Sequence, residues 1–171
     1  MAQLCTVYCI DTSALVDAWR PYPRDLFAVW DQLERLVREG RLIAPSKVLT
    51  ELQRKSDALL RWAQKHRRMF KRLDGEQLRL CAEICRLFPR LVDTSKAMED
   101  ADPYVVALAV ENTRKRSGET LFERHEYVVV TQERLSRPGE RPRIPNVCQH
   151  YGLRWVNLFD MFRREGWRFE V

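Results

Sequence analysis

Four carboxylates stand where a parallel α/β sheet would gather them: Asp11, Glu51, Asp102 and Glu133. Asp11 ends the apolar run Val7-Tyr8-Cys9-Ile10 and is followed by Thr12-Ser13. Glu51 lies on the segment after the short run Leu42-Ile43-Ala44. Asp102 precedes Pro103 at the head of a long apolar stretch, and Glu133 follows Tyr127-Val128-Val129-Val130 by way of Thr131. Carboxylates brought to one place repel one another unless a hard divalent cation neutralises them. Donors that are all oxygen favour magnesium or manganese. A site of that kind can activate water and stabilise an in-line attack on phosphorus. The hydroxyls of Thr12, Ser13 and Thr131 lie beside these acids, where they would orient water or phosphate. Each residue also has a plainer role open to it. Asp11 and Asp102 can cap helices, Glu51 can be a solvated helix residue, and Glu133 a loop charge. Asp100, beside Asp102, reads as a surface residue, with a supporting role behind the site's carboxylates as the alternative.

The elements that must position these groups are legible in outline. A four-residue apolar run bounded by polar residues reads as a buried strand, and Asp-Thr-Ser after it as a strand-to-helix turn. The spacing from Asp25 to Glu39 predicts a helix closed by Gly40, after a stiff Pro21-Tyr22-Pro23 loop. Leu42 to Ala44 is a second strand stopped by Pro45. Ser46 caps a helix from Lys47 to Lys55, and Ser56-Asp57 opens another from Ala58 to Lys65. Asp74-Gly75 marks a turn, and Glu76 to Phe88 a helix stopped by Pro89. Ala101 to Arg116 is the strongest helix in the chain, with Asp102 as its cap and Pro103 as its first helical residue. Tyr127 to Thr131 is a strand, and Arg134 to Pro145 an aperiodic loop. Asn146 to Tyr151 is a short helix closed by Gly152, Leu153 to Leu158 a strand, and Phe159 to Glu165 a terminal helix. Alternating strands and helices predict an α/β fold, a three-layer α/β/α sandwich with a mainly parallel central sheet. Ligands of such sheets bind beyond the carboxyl ends of the strands, which is where Asp11 and Glu133 would stand.

The 171 residues suit one domain covering positions 1–171. Hydrophobic residues make up 45% and charged residues 32%, a globular balance. The net charge of +6 favours polyanionic partners, nucleic acid first. Candidate phosphate contacts are Lys65, Arg67, Arg68 and Lys71 in one cluster, and Arg134, Arg137, Arg141 and Arg143 in the aperiodic loop. Both groups are expected to flank the acidic site. No apolar stretch is long enough to span a membrane, the N-terminus lacks a secretory pattern, and a cytoplasmic location is the expectation. Five cysteines without a secretory pattern point to free thiols. Cys5 and Cys9 on one strand would lie roughly 13 Å apart, too far to share a zinc ion. The histidines His66, His125 and His150 occupy unrelated contexts, which disfavours a histidine-based nuclease.

Four blocks of the sequence resemble the signature blocks of PIN domains, in the family's order. They are Tyr8 to Leu15, Val48 to Leu52, Asp102 to Ala109, and Val128 to Glu133. The tail segments Ile144 to Cys148 and Gly166 to Phe169 are similar to a bacterial and archaeal PIN-like subgroup grouped with VapC-type toxins. The resemblance implies a magnesium- or manganese-dependent ribonuclease, the toxin of a toxin–antitoxin pair. It implies a homodimer, held inactive by a cognate antitoxin protein whose segment enters the acidic groove. It maps the acidic ligands to Asp11, Glu51 and Asp102. Where the family usually has an aspartate two residues after Thr or Ser, this chain has Glu133, which ligates directly or acts through water. Two other readings stay open. One is a nucleic-acid-binding module with a weakened site; the other is an interaction protein using Trp19, Tyr22 and Trp30.

Overall fold

The computed structural model describes residues 3–20, 28–55, 57–93, 95, 100–115 and 123–168. The Pro21-Tyr22-Pro23 loop, the expected helix start at Asp25, Ser56, Arg116 and Phe169 lie outside them. The chain is α/β, with a five-stranded, wholly parallel sheet flanked by helices in three layers. The strands are β1 (Gln3–Ile10), β2 (Leu42–Pro45), β3 (Phe70–Lys71), β4 (Glu123–Val130) and β5 (Arg154–Val156). They lie in the order β3-β2-β1-β4-β5. The helices are α1 (Thr12–Trp19), α2 (Val29–Arg38), α3 (Ser46–Leu52), α4 (Asp57–Lys65), α5 (Gly75–Leu87), α6 (Asp102–Arg114), α7 (Ile144–His150) and α8 (Leu158–Arg164).

The order explains where a site can form. From β1 the chain works outward to β2 and β3, then returns across β1 to add β4 and β5. Between β1 and β4 the direction of winding reverses, and a crevice opens beyond their carboxyl ends. Those two strands are in register from Gln3↔Glu123 to Ile10↔Val130. The Asp11 N–H donates to the Val130 carbonyl at 3.0 Å, and the Thr131 N–H to Val156 at 3.0 Å. Backbone pairing therefore carries Asp11 and Thr131 to the crevice side by side.

The apolar runs read from sequence are the interior of the sheet. Tyr8, Cys9, Ile10, Val128, Val129 and Val130 are at most 1% exposed. That two-sided burial produces unbroken apolar runs in parallel strands. Side chains still alternate: the Tyr8 hydroxyl donates to Glu165 beyond α8 at 2.8 Å, while the next residue, Cys9, faces Cys148 of α7. Helix α6 is buried nearly all round, from Val105 to Val110, as expected for a helix that is apolar on every face. It packs on β1, β2 and β4 and is covered in turn by α5. Trp30, 1% exposed, packs edge-on against Trp19 and Trp62 at centroid distances of 5.0 and 4.9 Å, so these rings serve the core.

Several boundaries differ from the sequence reading. Strands β1 and β4 begin about four residues earlier than the apolar runs, because ladder hydrogen bonds extend them past the buried core. Helix α3 stops at Leu52, three residues short of Lys55. Strand β3 is only two residues long and lies inside the basic cluster, so no periodicity announces it. One difference bears on the site. Asp102 is not the cap of α6 but its first helical residue. The cap position is Ala101, which has no side-chain oxygen to offer.

Candidate metal and phosphate site

Asp11 is 3% exposed, and its carboxylate is fully bonded. Its Oδ1 accepts the Ala14 N–H at 2.8 Å and the Ser13 hydroxyl at 2.9 Å; its Oδ2 accepts the hydroxyls of Ser13 at 2.8 Å and Thr131 at 2.7 Å. It thus caps α1, a bond of about 1 kcal/mol in ordinary helices, and it ties β1 to β4. Burial pushes its carboxyl up to about 7 against those hydrogen bonds, with the Glu133 charge acting in the same direction as burial.

Glu51, on α3, reaches the start of α6. Its Oε1 accepts the Ala101 N–H at 2.8 Å, and its Oε2 accepts the Thr12 hydroxyl. An acid from α3 thus holds the backbone at Ala101, the cap position of α6. Asp102 is released from capping. Among the described residues no donor reaches its carboxyl group. Burial raises that group well above the usual carboxylate range, and the charges of Glu133, Asp11, Asp100 and Glu51 push it further. Glu133 follows Thr131 in a turn closed by its own N–H on the Thr131 hydroxyl oxygen, at 3.1 Å. Its Oε2 accepts the Ile144 N–H at 2.9 Å, at the start of α7.

All four predicted acids line one cavity of about 1120 Å³, together with Asp100, Asp17 and Glu140. Asp100 is a correction to the sequence reading. It is 6% exposed, not a surface residue, and it accepts the Asp93 N–H at 2.9 Å. Its neighbour relation to Asp102 was the one signal available. The hydroxyls of Thr12, Ser13 and Thr131 are also at the site, but they donate to carboxylates, so they orient acids and not solvent.

The predicted basic residues divide. Arg141 and Arg143 line the cavity, while Lys65, Arg67, Arg68, Lys71, Arg134 and Arg137 do not. Lys71 faces a second, smaller cavity beside Lys115 and His125. Arg20, Arg54 and Lys55, which sequence reasoning passed over, complete the basic rim. The aperiodic loop is held by side chains. Arg141 donates to the Arg90 and Leu91 carbonyls, both at 2.9 Å, and lies 3.8 Å from Asp100. Asn146 Oδ1 accepts the N–H groups of Ser136 at 3.1 Å and Arg143 at 3.0 Å.

As the side chains are placed, no three His, Cys, Asp or Glu residues among those described stand close enough to hold one ion together. The donor chemistry nevertheless fits a hard divalent cation. It is all oxygen, it is crowded with like charge, and the Asp102 carboxyl and Glu133 Oε1 have no hydrogen-bond donor among the described residues.

Fold and site together define an α/β protein with a carboxylate-lined cavity at the switch point of a parallel sheet. The chain belongs to the family described as a domain of unknown function (DUF4411), whose model matches residues 8–169. No curated protein and no solved structure matches the chain.

Proposed function

We propose that this protein is a metal-dependent endoribonuclease that hydrolyses RNA phosphodiesters with magnesium or manganese. The observation that supports this most is the Asp102 carboxyl, which no donor reaches among the described residues and which burial, and then four neighbouring carboxylates in the same cavity, push upward. Such crowding is destabilising without a counter-ion, and a divalent cation relieves it. Asp11, Glu51, Asp102 and Glu133 would hold the ion. Bound there, it supplies the Lewis acidity that activates water and stabilises charge at phosphorus.

The chain's own groups have distinct parts in this reading. Ser13, Thr131 and the Ala14 N–H fix the Asp11 carboxylate in one orientation. Thr12 and the Ala101 N–H fix Glu51. Glu133 keeps one oxygen on the Ile144 N–H and presents the other to the cavity. The resemblance of the four blocks to PIN domains extends the reading to a cytoplasmic toxin of a type II toxin–antitoxin system. In that setting it would be a homodimer restrained by an antitoxin protein. No described helix is long and apolar enough to cross a membrane.

A second reading is a nucleic-acid-binding module without turnover. It is favoured by the hydrogen bonds that already occupy both oxygens of Asp11 and Glu51. One experiment separates the two. The purified chain is incubated with a mixed RNA pool and magnesium or manganese, with a chelator arm alongside. Cleavage that the chelator stops supports the nuclease; binding without cleavage under either metal refutes it.

A further inference from the structure

The proposed substrate is a polyanion, and the cavity floor is negative. Something must hold phosphates against that repulsion. The cluster most conspicuous in sequence does not do so, since Lys65, Arg67, Arg68 and Lys71 are outside the cavity lining. Arg141 is largely committed: its guanidinium bonds two carbonyls and faces Asp100. The cations left are Arg20, Arg54, Lys55 and Arg143. Arg20, Arg54 and Lys55 are all exposed, and among the described residues none has an ion-pair partner.

Their places in the chain tie them to the carboxylates. Helix α1 opens at Thr12, next to Asp11, and its eight residues run about 12 Å before Arg20 caps its end. Arg54 and Lys55 lie in the turns that close α3, where the N–H of Arg54 donates to the Glu51 carbonyl at 3.1 Å. The backbone that carries Glu51 into the cavity also delivers Arg54 and Lys55 to its rim. Arg143 lines the same cavity from one residue before α7, where Glu133 is anchored on Ile144.

We infer that Arg20, Arg54 and Lys55 form the phosphate-binding edge of the site, so that a nucleic-acid strand enters over the ends of α1 and α3, passes the carboxylates, and leaves past Arg143. This rests on the reading of the substrate as RNA. It assigns positioning roles to three residues outside the acidic set, and it removes the 65–71 cluster from the binding path. Each phosphate neutralised by a cation on a single strand contributes about −0.7 to the slope of log affinity against log salt.

The test is binding of a fluorescent single-stranded RNA of mixed sequence, with chelator present so that cleavage does not enter. Affinity is measured across a salt series for three proteins: the unaltered chain, Arg20→Gln/Arg54→Gln/Lys55→Gln, and Arg67→Gln/Arg68→Gln. The rim variant should lose about 2 from the magnitude of the slope, with affinity at low salt down ten- to a hundredfold. The Arg67/Arg68 variant should match the unaltered chain in both. All five positions are exposed, and melting curves confirm that the variants are folded. A rim variant with unchanged slope overturns the inference, as does an equal loss in the Arg67/Arg68 variant or no binding by the unaltered chain. Because the readout is metal-free binding, a failed cleavage assay with an intact rim effect would overturn the nuclease and leave this edge standing.

Discussion

Replacing Asp11 by Asn should stabilise the metal-free protein, and by an amount that grows with pH. Asn keeps the shape, and its Oδ1 still accepts the Ala14 N–H. The hydroxyls of Ser13 and Thr131 can turn to accept from the new amide, so α1 keeps its cap and the β1–β4 tie survives. What is lost is a buried negative charge. Its carboxyl is pushed from 3.8 to about 7, chiefly by burial. Between those values the folded protein binds more protons than the unfolded chain, so wild-type stability falls as pH rises through that window and levels off above it. A shift of about three units, at 1.36 kcal/mol each, makes the full penalty about 4 kcal/mol near pH 8. Near pH 5 most of the folded protein is protonated there, and the penalty is only about 2 kcal/mol. The advantage of Asp11→Asn should therefore be larger by about 2 kcal/mol near pH 8 than near pH 5, which for a chain of this size is about 4–8 °C in Tm. Asp102, raised in part by the Asp11 charge, adds to the difference with the same sign. The assay is thermal unfolding of both proteins in chelator at the two pH values. An equal advantage at both, or a loss that is worse near pH 8, would show that burial does not set the ionisation of Asp11.

Two further predictions follow from the site's supports. Asn146→Ala leaves the N–H groups of Ser136 and Arg143 without their acceptor; it should lower stability by about 1–3 kcal/mol, read as a lower midpoint in urea. Glu133→Gln keeps an acceptor for the Ile144 N–H but removes a charge; folding should be unchanged by urea titration, and cleavage should fall less than in Asp102→Asn, measured as initial rates on one RNA.

The fold could be read from sequence because parallel strands buried on both faces leave unbroken apolar runs, as at Val7 to Ile10 and Val128 to Val130. What burial does not encode was missed. The outer halves of β1 and β4 are held by ladder hydrogen bonds among partly exposed residues, and β3 by two residue pairs. The acids that line the cavity were legible because Asp11 and Glu133 follow strands, Asp102 heads a helix, and Glu51 lies on the helix after β2. Their partners were not, since Glu51 reaches Ala101 across a sequence gap of 50 residues. Asp102 beside Pro103 reads as a cap, and only the backbone at Ala101 shows that another residue holds that position. The basic rim failed for a related reason. Arg20, Arg54 and Lys55 are scattered in sequence, whereas the Lys65 to Arg72 cluster is dense but faces elsewhere. Density along the chain is a poor guide to a field assembled by topology.

We propose that the Asp102 carboxylate carries metal-dependent hydrolysis and nothing structural that Asn could not replace. It is tested by comparing unaltered chain and Asp102→Asn on a mixed RNA pool with magnesium or manganese, beside a chelator control and melting curves without metal. Asn is close to Asp in shape but lacks the charge a hard cation requires, and removing one of the converging charges relieves repulsion. The variant should melt at the same temperature or higher, and its chelator-sensitive cleavage should be abolished. Full cleavage by Asp102→Asn would contradict that role.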